Sequence, residues 1–111
     1  MTTAIATITD ANLATEILQH PGPVLLDVWA DWCAPCKALA PVIDEIARHF
    51  DGTVKVAKLD SDTHQASATR LGVRSAPPTV LLFVGGAERG RLTGAVSKTR
   101  IVAMVEDALE A

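Results

Sequence analysis

Two cysteines, Cys33 and Cys36, lie three residues apart in the stretch WCAPCK, and the chain has no others. At this spacing on a helix both sulfurs lie on one face, close enough for a disulfide bond. Cys33 falls at the predicted start of a helix, where unsatisfied N–H groups and the helix dipole favour a thiolate, and Lys37 adds positive charge one turn on. Pro35 suits the first helical turn and stiffens the loop. In thiol–disulfide exchange one sulfur attacks the substrate disulfide and the other releases the product, so the two sulfurs must differ. We therefore expect Cys33 to be exposed and acidic, and Cys36 to be shielded and less acidic.

Three other uses of the cysteine pair are weaker. A structural zinc site needs four ligands, and His20, His49 and His64 do not have the spacing of zinc ligands around a single Cys-x-x-Cys. A structural disulfide that closes so short a loop contributes only about 2 kcal/mol in chain-entropy terms. Two unrelated buried thiols would not need this spacing at a helix start. Reversible thiol–disulfide chemistry is therefore the favoured interpretation.

Asp27 interrupts the apolar stretch VLLDVWA that precedes the cysteines. In a strand it shares a face with Leu25 and Trp29, and burial there would raise the pKa of its carboxyl group and make it a proton carrier near neutral pH. A carboxylate that points into water at a strand edge is an equally good interpretation. Lys58, in the predicted neighbouring strand, could pair with Asp27 or lie on the surface.

The hydrophobic pattern predicts the elements that position these residues. VLLDVWA is typical of a strand buried on both faces, usually in a parallel sheet. The longest helix is predicted from about Ala34 to His49, and Pro41 in its middle removes one hydrogen bond and bends the axis. Its apolar stripe consists of Leu39, Val42, Ile43, Ile46 and Phe50.

Shorter elements fill the rest of the chain. A first strand over residues 4–9 precedes a helix that Thr9 or Asp10 caps and that ends near Gln19. A strand at 53–59, a short helix within 62–71 and a hairpin over 78–94 follow. Early parallel strands and an antiparallel hairpin predict an α/β fold with a mixed sheet and helices on both faces. Ser97 caps a last helix whose predicted inward residues are Ile101, Met104, Val105, Ala108 and Leu109.

Length and composition indicate one globular domain over residues 1–111, with 49% hydrophobic and 21% charged residues. The net charge is −3 and no basic cluster occurs, which disfavours nucleic acid and anionic membranes as partners. No Lys or Arg precedes Lys37, and Asp27 breaks the most apolar run, so neither a targeting segment nor a membrane span is predicted. The cytoplasm is the expected compartment, although a trimmed precursor would have the same features.

The motifs taken together resemble one family. WADWCAPCKALAPVIDEIA, VAKLD, PTVLLF and the glycine of LTGAVSK resemble thioredoxin, over essentially the whole chain and in the same order. The resemblance implies the thioredoxin fold, a central five-stranded mixed sheet flanked by about four helices. It implies a general protein dithiol–disulfide oxidoreductase with no bound cofactor or metal. Thioredoxin reductase, a flavoenzyme that uses NADPH, is the implied reductant, disulfide-containing proteins are the implied substrates, and we expect a monomer.

The resemblance also implies a role for each site residue. Cys33 is the nucleophile and Cys36 the resolving thiol. Asp27 is the buried acid and base that serves Cys36, and Lys58 tunes Asp27. Trp29 and Pro41 are structural. The motif and the substrate surface comprise Trp32, Ala34, Pro35, Lys37, Pro77, Pro78 and Gly94.

Two features depart from the family's usual pattern. Ala34-Pro35 replaces the commoner Gly-Pro pair, which influences the redox potential. The segment GVRSAPPTVLLF is one residue longer than usual. Matching PTVLLF makes Pro78 the cis-proline that faces the cysteines, whereas counting from Gly72 makes it Pro77. We favour Pro78, which puts Pro77 where the family donates a backbone N–H to its substrate, and we expect one substrate hydrogen bond fewer.

Two alternative functions share the fold. One is an oxidase or isomerase of an exported compartment, which a measured reduction potential would separate from a reductant. The other is a redox-silent binding subunit that uses the fold as a platform. The missing targeting segment disfavours the first, and the intact cysteine pair with its candidate proton carrier disfavours the second.

Overall fold

A computed structural model describes residues 5–73 and 77–110. Within these ranges the chain forms five strands, three α-helices and one short π-helical segment, Ala14–Leu18. The strands are β1 (Ala6–Ile8), β2 (Pro23–Trp29), β3 (Lys55–Asp60), β4 (Thr79–Val84) and β5 (Ala87–Thr93), and the α-helices are α1 (Ala34–His49), α2 (Gln65–Arg70) and α3 (Lys98–Glu110).

The strands form one mixed sheet in the order β1-β3-β2-β4-β5. β3 pairs in parallel with both β1 and β2, whereas β4 pairs antiparallel with β2 and β5. Gly85 and Gly86 form the turn between β4 and β5, with φ angles of 59° and 82° that suit glycine in a tight hairpin. The predicted α/β fold with a mixed sheet is confirmed, and β2 lies at its centre.

The side chains of β2 alternate between two apolar clusters, one on each face of the sheet. On the Leu26 face (Val24, Leu26 and Val28), the cluster includes side chains from β1, β3, β4 and the π-helical segment. On the Asp27 face (Leu25, Asp27 and Trp29), Leu25 packs with side chains from α1 and α3. Both faces are covered, which explains why the strand reads as continuously apolar.

Helix α1 has the predicted bounds, Ala34–His49. Its start is favoured by Cys33 at the N-cap and by Pro35 in the first turn, where a missing N–H leaves no helical bond unmade. Pro41 lies within the helix and is exposed to solvent. The predicted stripe faces inward: Leu39, Ile43, Ile46 and Phe50 are buried, and Val42 is partly buried.

The first predicted helix differs from expectation. The hydroxyl of Thr9 accepts hydrogen bonds from the N–H groups of Ala11 and Asn12, but the regular segment that follows is the π-helix at Ala14–Leu18. Asp10 has a different partner, because its carboxylate accepts hydrogen bonds from the backbone N–H and the hydroxyl of Ser67 in α2, at 2.8 and 2.6 Å. These two bonds hold the pKa of Asp10 below its usual value.

Helix α2 is therefore held at both ends by distant side chains. Asp10 binds its first turn, where backbone N–H groups lack helical partners. At the other end, the guanidinium group of Arg91 in β5 donates hydrogen bonds to the carbonyl oxygens of Leu71 and Gly72. Arg91 also forms an ion pair with Glu88 at 2.8 Å.

Helix α3 completes the layer that covers the Asp27 face. The hydroxyl of Ser97 accepts the N–H of Arg100 at 3.2 Å, which confirms the predicted N-cap. Ile101 and Val105 are buried, but Leu109 is 41% exposed, so its predicted inward position is wrong. Among the described residues, no helix has the length and apolar character needed to cross a membrane.

Candidate active site

Cys33 and Cys36 form a disulfide at the N-terminus of α1, with Cα atoms 5.3 Å apart. The N–H of Cys36 donates a hydrogen bond to the Sγ atom of Cys33 at 3.2 Å. The N–H of Cys33 itself bonds to the carbonyl of Ala30 at 3.1 Å, and the N–H of Lys37 to the carbonyl of Cys33 at 3.3 Å. The N–H of Cys36 and the positive end of the helix dipole therefore point at the Cys33 sulfur, where they stabilise negative charge after reduction.

The two cysteines are buried to the same degree, each with 3% of its surface exposed. The prediction of an exposed Cys33 beside a shielded Cys36 is therefore wrong for the disulfide form. Ala30 and Trp29 pack against both cysteines, and the carbonyl oxygen of Pro77 lies 3.3 Å from the Sγ atom of Cys33. The two sulfurs differ in their contacts and not in their burial, because the sulfur of Cys33 contacts the carbonyl oxygen of Pro77.

A groove of about 310 Å³ opens beside the disulfide. Trp32 and Pro77 contribute to its lining together with Gln65 and Thr69 of α2. Trp32 is 67% exposed and presents its indole ring to solvent. Another polypeptide in this groove would contact Pro77, whose carbonyl oxygen contacts the sulfur of Cys33.

The peptide bond between Pro77 and Pro78 is cis, so Pro78 is the cis-proline that the match to PTVLLF predicts. Pro78 is buried and Pro77 is partly exposed. The carbonyl oxygen of Pro78 accepts the N–H of Gly94 at 2.9 Å, which places Gly94, with its φ of 90°, beside the proline pair. Residues 74–76, in the loop predicted to hold the extra residue, lie outside the described residues.

Asp27 is buried, with 2% of its surface exposed, so the alternative of a carboxylate pointing into water is wrong. Burial raises the pKa of Asp27 to about 6, and the positive charge of Lys58 opposes this rise. Among the described residues, the Oδ1 atom of Asp27 has no hydrogen-bond partner. A buried, incompletely paired carboxyl group with this pKa can exchange a proton near neutral pH.

Lys58 lies directly beside Asp27 in the parallel register of β3 and β2. Lys58 is partly exposed. It therefore lowers the pKa of the buried Asp27 carboxyl group and also reaches the surface. The two interpretations left open by the sequence, a partner of Asp27 and a surface lysine, therefore describe one arrangement.

The remaining predicted residues lie around the disulfide in different ways. Ala34, Pro35 and Lys37 are exposed on the first turn of α1, whereas Trp29 packs beneath the cysteines. Sequence reasoning missed Ser61, whose N–H and hydroxyl both donate to the carbonyl of Trp29, at 2.9 and 3.1 Å. No local pattern signals this contact, because it joins the ends of two strands 32 residues apart.

Among residues 5–73 and 77–110, no group of three or more His, Cys, Asp or Glu side chains could hold a metal ion.

A protein-family model described as Thioredoxin matches residues 4–107. The chain belongs to the thioredoxin family. It is 42% identical to thioredoxin of Pseudomonas aeruginosa over 106 residues, which cover 96% of this chain and 97% of that protein. Thioredoxin 1 of Nostoc sp. is 42% identical over 103 residues, covering 93% and 95% of the two chains. The chloroplastic thioredoxin M2 of Arabidopsis thaliana is 37% identical over 105 residues, covering 95% of this chain and 56% of the plant protein.

Membership of the thioredoxin family shows what the disulfide does. Thioredoxins are protein-disulfide oxidoreductases, and this chain has the Cys-x-x-Cys pair in the form of a disulfide at a helix start. The chain is therefore a thiol–disulfide oxidoreductase whose redox-active group is the Cys33–Cys36 disulfide. The predicted thioredoxin fold, with its five strands and flanking helices, is confirmed.

Proposed function

We propose that this thioredoxin is a general reductant of protein disulfides, with Cys33 as the nucleophile and Cys36 as the resolving thiol. The observation that carries the proposal is the environment of the Cys33 sulfur. It accepts the N–H of Cys36 at 3.2 Å at the N-terminus of α1 and contacts Pro77, which lines an open groove. An N–H donor and a helix dipole favour the attacking thiolate at this position.

Reduction of a substrate proceeds in two exchanges. The Cys33 thiolate attacks one sulfur of the substrate disulfide, forming a mixed disulfide, and the other substrate sulfur leaves as a thiolate and takes up a proton. Cys36 then loses its proton and attacks the Cys33 sulfur. The Cys33–Cys36 disulfide forms, and the second substrate sulfur leaves as a thiolate. Two electrons pass from the cysteine pair to the substrate.

Asp27 takes the proton of Cys36 in the second exchange. It lies on the face of β2 that also carries Trp29, which packs against both cysteines. With a pKa of about 6, its carboxyl group is largely ionised at neutral pH and able to accept a proton. Lys58 keeps that pKa from rising further, because its positive charge favours the carboxylate.

The surface around the disulfide accommodates varied protein substrates. Trp32, Ala34 and Pro35 are exposed, uncharged and next to the redox pair. With Lys37, Pro77 and Gly94 they form the substrate-binding surface, which has few charges to restrict its partners, and the buried Pro78 adjoins it. Pro41 and Trp29 support this surface from within α1 and from the end of β2.

Each turnover leaves the Cys33–Cys36 pair oxidised, so the protein needs a reductant of its own. Thioredoxin reductase, a flavoenzyme, passes electrons from NADPH to the Cys33–Cys36 disulfide, and the protein acts as a monomer in the cytoplasm. An NADPH-supplied compartment suits a reductant, since the oxidised pair must be regenerated after every turnover. Size-exclusion chromatography tests the monomer, and fractionation of the source cells tests the compartment.

NADPH-coupled reduction of insulin by a thioredoxin reductase tests the mechanism directly. Cys33→Ser should abolish turnover, because no nucleophile remains. Cys36→Ser should also stop turnover but accumulate mixed disulfides between Cys33 and the substrate, visible on non-reducing gels. Substantial turnover by either variant, or mixed disulfides formed through Cys36 in Cys33→Ser, would contradict the assigned roles.

The reduction potential tests the direction of electron flow. A reductant has a potential more negative than that of the glutathione pool, whereas an oxidase or isomerase has a less negative one. Equilibration with defined glutathione mixtures gives this value for the wild type. Ala34→Gly restores the commoner pair between the cysteines and serves as the matched variant. A wild-type potential in the range of oxidases would overturn the proposal of a reductant.

A further inference from the structure

One side of the groove beside the disulfide is formed by a very short helix. α2 has six residues, and an isolated helix of this length does not persist in water. Its residues Gln65 and Thr69 line the groove together with Trp32 and Pro77. The position of this side of the groove is therefore set by the contacts that α2 makes with the rest of the protein.

At the end of α2 these contacts come from Arg91 in β5. Its Nη1 atom donates a hydrogen bond to the carbonyl oxygen of Gly72 at 3.2 Å, and its Nη2 atom donates to that of Leu71. Carbonyl groups at the end of a helix lack helical partners, so an outside donor satisfies them. Glu88 holds the guanidinium group in place, because its carboxylate oxygens accept from Nε and Nη2 at 3.1 and 2.8 Å. All three nitrogen atoms of the guanidinium group therefore take part in this contact.

The same part of the chain also holds the residues that follow α2. Gly72, which Arg91 contacts, begins the segment that leads to the cis-proline Pro78. At its other end, the carbonyl oxygen of Pro78 accepts the N–H of Gly94, just after β5, at 2.9 Å. Pro77 lies within this segment and lines the groove. Contacts from β5 and the residue after it thus hold both ends of the segment that carries Pro77.

We propose that Arg91 is a positioning residue for polypeptide substrates. It acts through α2 and Gly72, by keeping one side of the groove in the place that a bound polypeptide requires. A site that is correctly arranged for only a fraction of the time binds more weakly by that fraction. A small disulfide that reacts with Cys33 without filling the groove does not depend on α2. The inference rests on the proposed function, since it assumes that Cys33 exchanges with a substrate that lies in the groove.

Single-turnover kinetics test the inference without a reductase, which would itself contact the protein. Reduced protein, freed of excess reductant, is mixed with insulin or with bis(2-hydroxyethyl) disulfide, and tryptophan fluorescence gives the two rate constants. In Arg91→Met the ratio of the insulin rate constant to the small-disulfide rate constant should fall about 3- to 10-fold, the size of one hydrogen bond. The rate constant for the small disulfide should not change. An unchanged ratio overturns the inference.

Two control variants separate positioning from charge and from stability. Arg89→Met removes an exposed arginine from the same strand and should leave the ratio unchanged. Val105→Ala leaves a cavity beneath α3, in the cluster on the opposite face of the sheet from Leu71. It should lower the stability without changing the ratio for the folded protein. A ratio that falls equally in Arg91→Met and in either control would show that Arg91 has no specific role.

Arg91→Lys measures how far the shape of the guanidinium group matters. Lysine keeps the positive charge, but its single nitrogen cannot reproduce the fork that binds two carbonyl groups and Glu88 together. The ratio should therefore lie between those of the wild type and Arg91→Met. A ratio in Arg91→Lys as low as in Arg91→Met would also agree with the inference, whereas full wild-type behaviour in both variants would contradict it.

Hydrogen exchange shows whether α2 itself responds. The N–H groups of Gly72 and Val73 donate to the carbonyls of Thr69 and Ala68 at 3.0 and 2.9 Å. Their protection from exchange should fall in Arg91→Met and stay at the wild-type level in the Arg89→Met control. If the ratio falls while this protection is unchanged, Arg91 does not act through α2 and the inference is wrong.

The outcomes also separate the inference from the proposed function. If the wild type reduces both substrates and Arg91→Met has an unchanged ratio, the proposed function stands and the inference is wrong. If Cys33→Ser reduces both substrates as well as the wild type does, the proposed function fails. If circular dichroism shows that Arg91→Met does not fold, Arg91→Lys decides alone, and an unchanged ratio in that variant overturns the inference.

Discussion

The two faces of β2 are built differently, although the strand is almost uniformly apolar in sequence. On the Leu26 face, Val24, Leu26 and Val28 are all fully buried in an apolar cluster. The Asp27 face carries a buried carboxyl group between Leu25 and Trp29, and among the described residues one of its oxygen atoms has no hydrogen-bond partner.

This difference separates stability from chemistry within one strand. Apolar burial on the Leu26 face stabilises the fold, whereas a buried and incompletely paired carboxylate destabilises it. The destabilising residue lies on the face where Trp29 packs against the disulfide. Changes on the Leu26 face should therefore alter stability alone, and changes at Asp27 should alter stability, its pH dependence and catalysis together.

The largest stability effect is expected from Leu26→Ala. Leu26 is fully buried between its register neighbours Ala57 in β3 and Leu81 in β4, so truncation leaves a cavity. The free energy of unfolding should fall by about 2–5 kcal/mol. Urea denaturation should give the same loss at pH 4 and pH 7, with insulin reduction per folded molecule unchanged. A pH-dependent loss, or slow turnover by the folded variant, would break the distinction between the faces.

The next effect, expected from Asp27→Asn, depends on pH. Because burial raises the pKa of Asp27 from its ordinary value of 3.8 to about 6 in the fold, the folded state binds this proton more tightly than the unfolded state does. The stability due to this proton is fully present below about pH 3.8 and is lost as the pH rises through about 6. The wild type should therefore lose about 3 kcal/mol relative to Asp27→Asn between these limits.

Urea denaturation of both proteins from pH 3.5 to pH 8 measures this difference, and the other carboxyl groups cancel in it. Asp27→Asn should also release substrates from the mixed disulfide more slowly at neutral pH, because Cys36 loses its proton acceptor. A stability difference that does not change with pH would contradict the burial of an ionisable Asp27.

The smallest effect is expected from Lys58→Met, which should shift the pH range over which protonation of Asp27 changes the stability. Lys58 lowers the pKa of Asp27, so its removal should raise that pKa and move the midpoint of the stability change to higher pH. Lys55→Met is the matched control in the same strand, because Lys55 forms its ion pair with Glu16, at 3.1 Å. An equal shift in both variants would show that Asp27 responds to net charge and not to its neighbour.

Much of the fold was predictable because its signals are local. The bounds of α1 follow from a helical apolar stripe, a cap residue and a proline in the first turn, all within the helix or next to it. The alternation of β2 between two covered faces follows from its apolar run. The cis-proline has a different source, because only the resemblance to thioredoxin implies one, and matching PTVLLF assigns it to Pro78, directly before β4.

The rest depended on residues far away in sequence. The burial of Cys33 involves Pro77, 44 positions further on, so an exposed sulfur was the wrong expectation. Asp10 was a candidate cap for the helix beside it, yet its carboxylate binds Ser67, 57 positions away. The inward position of Asp27 could be decided only once α1 and α3 were known to cover its face. Helical periodicity alone also predicts an inward Leu109, although this residue lies in the last turn of α3 and is exposed.

The double tethering of α2 has a consequence for the order in which the protein matures. A helix of six residues does not persist alone, and this one is held by Asp10 at its start and by Arg91 beyond its end. A chain emerging from the ribosome exposes both cysteines long before Arg91. The side of the groove that α2 forms is held in place only after β5 has been synthesised. A nascent chain that ends after α2 therefore has both cysteines but an incomplete substrate-binding site.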